Sequence, residues 1–214
     1  EIGVAATKTF LGQMLSFYGL TLLVASHKQK RSTKEIQDLS NDLRLVPKQL
    51  LDLIKKHDAL SKGIAHLFAE TKDVIFLGRG INYPIALEGA LKLKEISYIH
   101  AQGYPAGELK HGPIALLDKH VPVISIAVPG VVYEKVLSNS QEAKTRDALL
   151  IGVTPPNRPE SEMFDELFSI PKVSEWVSPL LTVVPLQLFS YHIAAHKGLD
   201  VDQPRNLAKS VTVE

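Results

Sequence analysis

Two spacings of apolar residues follow one another along the chain. Short continuous apolar runs predict buried strands at 74–77, 121–128, 149–153 and 167–170. Apolar residues at helical spacing predict helices at 3–26, 85–99, 133–146 and 183–195. Continuous apolar strands that alternate with helices are typical of a parallel sheet with both faces covered. The pattern therefore predicts an α/β fold: a doubly wound parallel sheet with helices on both faces, preceded by a helical segment.

The first seventy residues predict only helices. The helix at 3–26 is nearly all apolar, so we expect it to be buried. Ser32 or Thr33 can cap the next helix, and Pro47 marks the start of another. A third segment, at 59–70, leads into the first strand. We therefore expect residues 32–70 to form a helical hairpin that bridges two sheet domains.

The stretch 74–113 carries most of the candidate chemistry. Its strand breaks at Gly78-Arg79-Gly80, and a helix follows. Glycines let a ligand approach the backbone, and a helix start offers unpaired N–H groups, so this loop suits an anion such as phosphate. A dinucleotide fingerprint would need a third glycine where this chain has Tyr83, so nucleotide binding is not favoured.

Three charged residues of that helix, Glu88, Lys92 and Glu95, lie at i, i+4 and i+7 and so share one face. Spacing alone favours a solvated face with a Glu88–Lys92 pair over a functional face. After the helix, glycines and prolines surround Glu108, Lys110 and His111. Breakers beside ionisable groups predict a shaped loop over a cleft.

Composition excludes several kinds of protein. The formal net charge of +1 gives no reason to expect nucleic acid as a partner. The chain has no cysteine, which excludes disulfides, thiolate metal sites and a cysteine nucleophile, and which fits the cytoplasm. No apolar run approaches the roughly 20 residues that span a bilayer, so we expect no membrane segment and a soluble, intracellular chain.

Two histidines stand where zinc ligands can stand. His192 and His196 are four residues apart on a predicted helix, but Ile193 follows the first and no third ligand is apparent. A structural role is therefore favoured, and we expect neither a metal nor a cofactor.

Long motifs in three separate parts of the chain carry a family resemblance. They are LGRG at 77–80 with YPIALEGALKLKEISYIHA at 83–101 and AGELKHGP at 106–113, the ending DQPRNLAKSVTVE at 202–214, and the opening residues 1–10. Together they resemble the glutamine:fructose-6-phosphate amidotransferase family, from one end of the chain to the other. The chain begins at Glu1 rather than at methionine, so we expect an upstream part.

The resemblance implies a domain arrangement. In the family, a glutaminase domain releases ammonia, and two sugar isomerase domains of the doubly wound α/β type convert fructose 6-phosphate. Residues 1–70 would be the helical tail of the first isomerase domain with connecting helices, and residues 71–214 the second domain with a C-terminal catalytic tail. The family's phosphate-gripping loop would lie upstream of Glu1.

The resemblance also implies catalytic residues. Lys209 matches the lysine that forms a Schiff base with the keto sugar, and Glu95 matches the carboxylate that moves a proton between C1 and C2. His111 matches the ring-opening histidine, which a neighbouring subunit contributes. Lys92 matches a charged neighbour of the base.

Further positions match substrate-binding residues. Glu88 corresponds to the other charged neighbour of the base, and Val4, Ala6 and Ala208 fall where the family lines the sugar site. Ala6 replaces a serine that can bond the substrate in some members.

Two classes of function follow from the resemblance. The first is the isomerase half of the amidotransferase, acting as a homodimer on a sugar phosphate in the cytoplasm. The second is a non-catalytic, sugar-phosphate-binding regulatory module of the same fold. The second class would need neither an acid–base pair nor a tail lysine, so the presence of Glu95, His111 and Lys209 together favours the enzyme.

Overall fold

The computed structural model describes residues 2–156 and 159–209 of the chain, without the side chain of residue 160. The strands are β1 (Asp73–Gly78), β2 (His100–Pro105), β3 (Val123–Ile126), β4 (Leu150–Thr154) and β5 (Glu166–Ser169). The helices are α1 (Lys8–His27), α2 (Thr33–Ile64), α3 (Tyr83–Ser97), α4 (Tyr133–Lys144) and α5 (Ser178–His196). Short 3-10 helices lie at Ala65–Phe68, Gly80–Asn82, Ala106–His111, Pro113–Leu116, Pro159–Met163 and Glu175–Val177.

The strands form one parallel sheet in the order β2-β1-β3-β4-β5. Successive side chains of a strand point to opposite faces, and they supply two separate core clusters. Phe76 packs with residues of α2, α3 and α5 on one face, whereas Leu77 packs with residues of α4 and the Ala106–His111 helix on the other. The predicted doubly wound sheet with helices on both faces is confirmed.

The second helix is longer than the sequence pattern indicates. Its predicted cap, Ser32, forms a capping box with Glu35, but the helix then runs unbroken past Pro47 to Ile64. The predicted new helix at Pro47 is therefore wrong, and so is the separate helix from residue 59. A proline inside a helix costs roughly 3 kcal/mol. Packing outweighs this cost because Val46 and Leu53, on either side of Pro47, are both buried in the core.

The first helix is not buried, contrary to the prediction. It contains no buried residue, and Phe17, Leu20 and Leu23 are 70%, 55% and 67% exposed. The helix is apolar around its whole circumference, so packing on one side leaves the other side uncovered. The side that does pack reaches Trp176, whose ring lies edge-on to that of Tyr18 with centroids 4.7 Å apart.

Two segments are long and apolar enough to cross a membrane by length and composition alone, α1 and Glu175–His196. The prediction that no apolar stretch approaches this length is therefore wrong. Core helices of soluble proteins pass the same test, and Glu175–His196 is mostly buried inside the protein. Composition of this kind is weak evidence for a membrane span.

The sequence pattern misses strand β2. Its sequence, HAQGYP, contains no run of large apolar residues, and its polar residues His100 and Gln102 are exposed because β2 pairs only with β1 and forms the edge of the sheet. Gly103 is needed there, since an added Cβ would lie 3.0 Å from the backbone of α3 at Ala86 and Leu87. Because β2 already begins at His100, helix α3 ends at Ser97, before the predicted end at residue 99.

Two later helices also differ from the predictions. Helix α5 begins at Ser178 rather than Val183, so Pro185 lies inside the helix and Pro179 occupies its first turn. Helix α4 ends at Lys144, before the predicted end at residue 146, and it buries Val136 and several neighbouring residues against the sheet.

Candidate active site

Three ionisable side chains of α3 form a compact group that solvent barely reaches. The ammonium Nζ of Lys92 lies 2.5 Å from Oε2 of Glu95 and 3.5 Å from Oε1 of Glu88. Lys92 and Glu88 are only 3% and 9% exposed, and Glu95 is half-buried. The solvated face that spacing alone favoured is therefore wrong, and the three charges are an internal feature of the fold.

Close packing at the loop before α3 and at the middle of α3 holds this group in place. Gly78 has no room for a side chain, since an added Cβ would lie 2.4 Å from the carbonyl oxygen of Asn82. The buried amide of Asn82 donates to Ser178 Oγ at 2.9 Å and accepts from Thr182 Oγ1 at 3.0 Å, both on α5. At mid-helix, Gly89 lets α3 approach α5 closely. The helix is thus fixed to both the sheet and α5.

Burial changes the acidity of one member of the group. Loss of water around Glu88 raises the pKa of its carboxyl, and the nearby charge of Glu95 raises it further. The ammonium of Lys92 opposes both effects and lowers the pKa, but burial is the largest influence. Glu88 is therefore a weaker acid than an exposed glutamate.

A cavity of about 290 Å³ opens beside Lys92. Its walls come from four parts of the chain: Lys92 and Ile96 of α3, Gln187 and Tyr191 of α5, Val201 and Asp202 of the tail, and residues 2–8. Lys92 is the member of the charged group that reaches this cavity. A cationic side chain held by two carboxylates thus faces a space large enough for a small ligand.

Gln187 is a cavity residue that the sequence analysis did not identify. Its Nε2 is buried and makes no hydrogen bond with the described residues. The available signal was a single amide within an otherwise apolar helical run. Its free donor points to a polar partner that the described residues do not supply.

The start of the chain and the tail meet at this cavity. The backbone N–H of Val4 donates to the carbonyl of Asp202 at 2.9 Å, and an added Cβ on Gly3 would lie 3.0 Å from the Asp202 carboxylate. The predicted binding residues Val4 and Ala6 are half-buried in this segment. The lining itself comes from their neighbours, which are Ile2, Gly3, Ala5, Thr7 and Lys8.

The tail residues Ala208 and Lys209 are exposed and do not line the cavity. Before them, Pro204 is buried and Arg205 contacts the end of α3. The tail therefore contacts the C-terminal end of α3, but Lys209 is not in contact with Lys92 or Glu95. Residues 210–214 of the family motif lie outside the described residues.

His111 is not part of the charged group on α3. It is exposed at the end of the 3-10 helix that follows β2, and its Nδ1 lies 2.8 Å from Oε2 of Glu108. Glu108 is exposed as well, so this pair lies at the surface. An exposed position is what a residue serving a neighbouring copy requires.

The Gly78–Gly80 loop, predicted to suit an anion, already faces a carboxylate. Strand order reverses between β1 and β3, and ligands of such sheets bind between the loops that follow the two strands. The Glu175 side chain lies there: its Oε2 accepts from the N–H of Val131 at 3.4 Å, and its carboxylate leaves no room for a Cβ on Gly130. A phosphate at this position would meet a like charge.

The structure offers no metal centre in the residues it describes, where no group of three histidine or acidic side chains converges. His192 instead lies 2.8 Å from Oδ1 of Asp58 on α2, which fits the structural role favoured for it.

The family follows from comparison with known proteins. The family model described as SIS domain matches residues 67–197 of the chain. The chain belongs to the SIS domain family. The matched part runs from the 3-10 helix before β1 to the residue after α5, and so includes the whole sheet and the charged group of α3.

The chain is similar over its whole length to part of several longer proteins of known name. The chain is 64% identical over its whole length to glutamine–fructose-6-phosphate aminotransferase (isomerizing) from a Nostoc species and 50% identical to that from Methanosarcina acetivorans. It covers only 34% and 35% of these proteins, so it spans about a third of their length. The resemblance to the amidotransferase family is confirmed.

A solved structure agrees with these matches. The C-terminal domain of glucosamine-fructose-6-phosphate aminotransferase from Francisella tularensis superposes with a TM-score of 0.91 at 41% identity. The match covers 95% of this chain and 58% of that one. Glucosamine-6-phosphate deaminase from Thermotoga maritima is more distant, with a TM-score of 0.65 at 25% identity and coverage of 92% and 56%.

Proposed function

We propose that the chain is the isomerase part of an enzyme that converts fructose 6-phosphate and glutamine-derived ammonia into glucosamine 6-phosphate. The observation that carries the proposal is the buried Lys92, held by two carboxylates of α3 at the wall of a cavity. Burying three ionisable groups is costly, and such groups cluster at functional sites. The relatives' names supply the reaction and the substrate.

The proposed reaction uses Lys209 and Glu95 in turn. The amine of Lys209 adds to the C2 carbonyl of the open-chain sugar and water leaves, which forms an imine. Ammonia then replaces the lysine at C2 and releases Lys209 as a free amine. The carboxylate of Glu95 takes a proton from C1 and returns it to C2, while the hydroxyl proton of O1 passes to the imine nitrogen, which yields the amino aldose.

The remaining residues bind the sugar and prepare these steps. Lys92 holds Glu95 in place by its ion pair, while Glu88 orients Lys92. Val4 and Ala6, with their neighbours at the cavity, and Ala208 in the tail would contact the sugar. His111 of a neighbouring copy would open the sugar ring, so we propose a homodimer, which acts in the cytoplasm.

The phosphate group would be bound outside these 214 residues, by the phosphate-gripping loop that the family resemblance implies. The Gly78–Gly80 loop is a poor substitute because the Glu175 carboxylate faces it. A non-catalytic sugar-phosphate-binding module is supported less well, since the most similar relatives are named as enzymes and the charged group of α3 has no need to be buried in such a module.

Reductive trapping tests the proposal directly. An imine between Lys209 and the sugar can be reduced irreversibly, so borohydride and fructose 6-phosphate should attach one sugar phosphate per full-length chain, on the peptide that contains Lys209. Lys209→Arg keeps the charge but should abolish labelling. Lys94→Arg, at an exposed lysine of α3, is the control and should label normally. Label on Lys92 or Lys94, or label that survives Lys209→Arg, would overturn the assignment.

A further inference from the structure

One aromatic side chain fastens the C-terminal tail to the end of α3. The backbone N–H of Arg205 donates to Tyr98 Oη at 2.8 Å. The guanidinium carbon of the same arginine lies 4.2 Å from the centroid of the Tyr98 ring. A hydrogen bond and a cation–π contact thus join the same two residues, which fixes both the position and the orientation of Arg205.

The backbone at Tyr98 is unusual for a bulky residue. Tyr98 follows the last residue of α3 with φ of 61°, in the left-handed region where glycine or asparagine is normally found. A tyrosine in this conformation is strained, and strained residues cluster where function requires them. Glycine would end the helix at lower cost but could not hold Arg205. The tail contact is therefore a reason for tyrosine at this position.

The tail before Arg205 is also held. Oδ1 of Asp200 accepts from the backbone N–H groups of Asp202 and Gln203 at 2.9 and 3.0 Å. The carbonyl of Asp202 pairs with Val4, and Pro204 is buried. The contact at Arg205 is the last of these attachments before the exposed end of the described tail.

Geometry connects this contact to the charged group of α3. Tyr98 directly follows the last residue of α3 and lies three positions after Glu95, so the tail is attached at the end of the helix that carries the charged group. Lys209 follows Arg205 by four positions, so the two Cα atoms are at most about 14 Å apart. Because Arg205 is held at Tyr98, Lys209 stays within about 14 Å of a residue that is attached to the end of α3.

We propose that Tyr98 is a positioning residue, which holds the tail through Arg205 so that Lys209 can reach the cavity beside Lys92. The proposal rests on the function proposed above for Lys209. Tyr98 does not touch the substrate in this role. It limits the space that the tail explores, which raises the effective concentration of the lysine amine at the sugar carbonyl.

Hydrogen exchange of the 214-residue chain tests the attachment itself. Tyr98→Phe removes the acceptor of the Arg205 N–H, so that amide should exchange at least about tenfold faster. Tyr98→Ala also removes the ring, and exchange should rise throughout residues 203–209. Tyr83→Phe, at the opposite end of α3, is the matched control and should leave the tail unchanged. Unchanged tail exchange in Tyr98→Ala would overturn the proposal.

Trapping in the full-length protein tests the consequence for Lys209. Borohydride labelling of Lys209 should slow about tenfold or more in Tyr98→Ala, and kcat should fall with little change in KM. Tyr98→Phe keeps the cation–π contact and should recover part of the rate. A loosened tail with unchanged labelling and kcat would contradict the positioning role. No label in the unaltered protein would refute the function proposed for Lys209, while the exchange data would still report on the attachment.

Discussion

The buried ammonium of Lys92 gives the carboxylates of Glu88 and Glu95 different environments. This ammonium lies closer to Glu95 than to Glu88, so the shorter ion pair fixes the position of the Glu95 carboxylate. Glu88 is more deeply buried, and its raised pKa reflects that burial. Two glutamates of one helix thus have different environments. This difference supports Glu95 as the base and Glu88 as a positioning group.

A substitution of Glu95 should separate catalysis from binding. Glu95→Gln keeps the size of the side chain but cannot accept a proton, so turnover of the full-length enzyme should fall by roughly 10²–10⁴ while the substrate still binds. Steady-state kinetics and calorimetry with fructose 6-phosphate measure the two effects. Glu134→Gln, at an exposed glutamate of α4, should change neither. Unchanged turnover in Glu95→Gln would remove the proton-transfer role.

Only part of the charged group could be predicted from the sequence. The helical period places Glu88, Lys92 and Glu95 on one face, but it does not say what covers that face. The cover comes from the first residues of the chain and from Val201 and Asp202 of the tail, which are about a hundred positions away. Gln187 was missed for the same reason, because its neighbours in the cavity belong to distant segments.

At some helices and strands, tertiary packing overrides the secondary structure that the local sequence pattern predicts. The alternation of apolar strands and helices was sufficient to predict the sheet, since buried parallel strands are continuous apolar runs. It failed at β2, whose edge position permits polar residues, and at Pro47, where buried neighbours keep α2 continuous. Both failures concern energies that depend on tertiary contacts rather than on the local sequence.

Helix α2 is joined to β5 by a histidine with no solvent contact. His57 Nε2 lies 2.8 Å from the carbonyl oxygen of Ser169, its ring packs edge-on against Phe168, and its buried Nδ1 makes no hydrogen bond with the described residues. Burial lowers the pKa of His57 below its ordinary value of 6.5, and the positive charge of Lys56 lowers it further, while the bond to Ser169 opposes them. The neutral ring is therefore the form that fits between helix and sheet.

This histidine should make the fold sensitive to acid. Its pKa is lower in the folded than in the unfolded chain, so its contribution to stability is complete above pH 6.5 and is lost as pH falls toward the folded-state pKa. The free energy of unfolding should fall by up to about 1.4 kcal/mol per pH unit in that window. Urea unfolding at a series of pH values measures this slope.

A matched pair of variants isolates the effect. His57→Phe cannot be protonated, so its stability should lose this slope even if its overall stability is lower. His120→Gln, at an exposed histidine, should keep the slope. An equal slope in His57→Phe and the unaltered chain would assign the acid sensitivity to other groups.

The molecule as a whole presents an uncovered apolar surface. Phe17, Leu20 and Leu23 on α1 are largely exposed, although soluble proteins rarely leave such residues together in water. His111 is exposed at another surface and is predicted to serve a neighbouring copy. Both observations favour an assembly of at least two chains.

We therefore expect the chain to form a homodimer that covers α1. Light scattering at micromolar concentration should give a mass near twice 23.5 kDa. Replacing Phe17, Leu20 and Leu23 together by serine removes the apolar surface without touching the core, and it should shift the mass toward the monomer. Leu51→Ser, at a leucine of α2 that is 61% exposed, is the control and should leave the dimer intact. A clean monomer of the unaltered chain would show that α1 is tolerated in water, and it would contradict self-association.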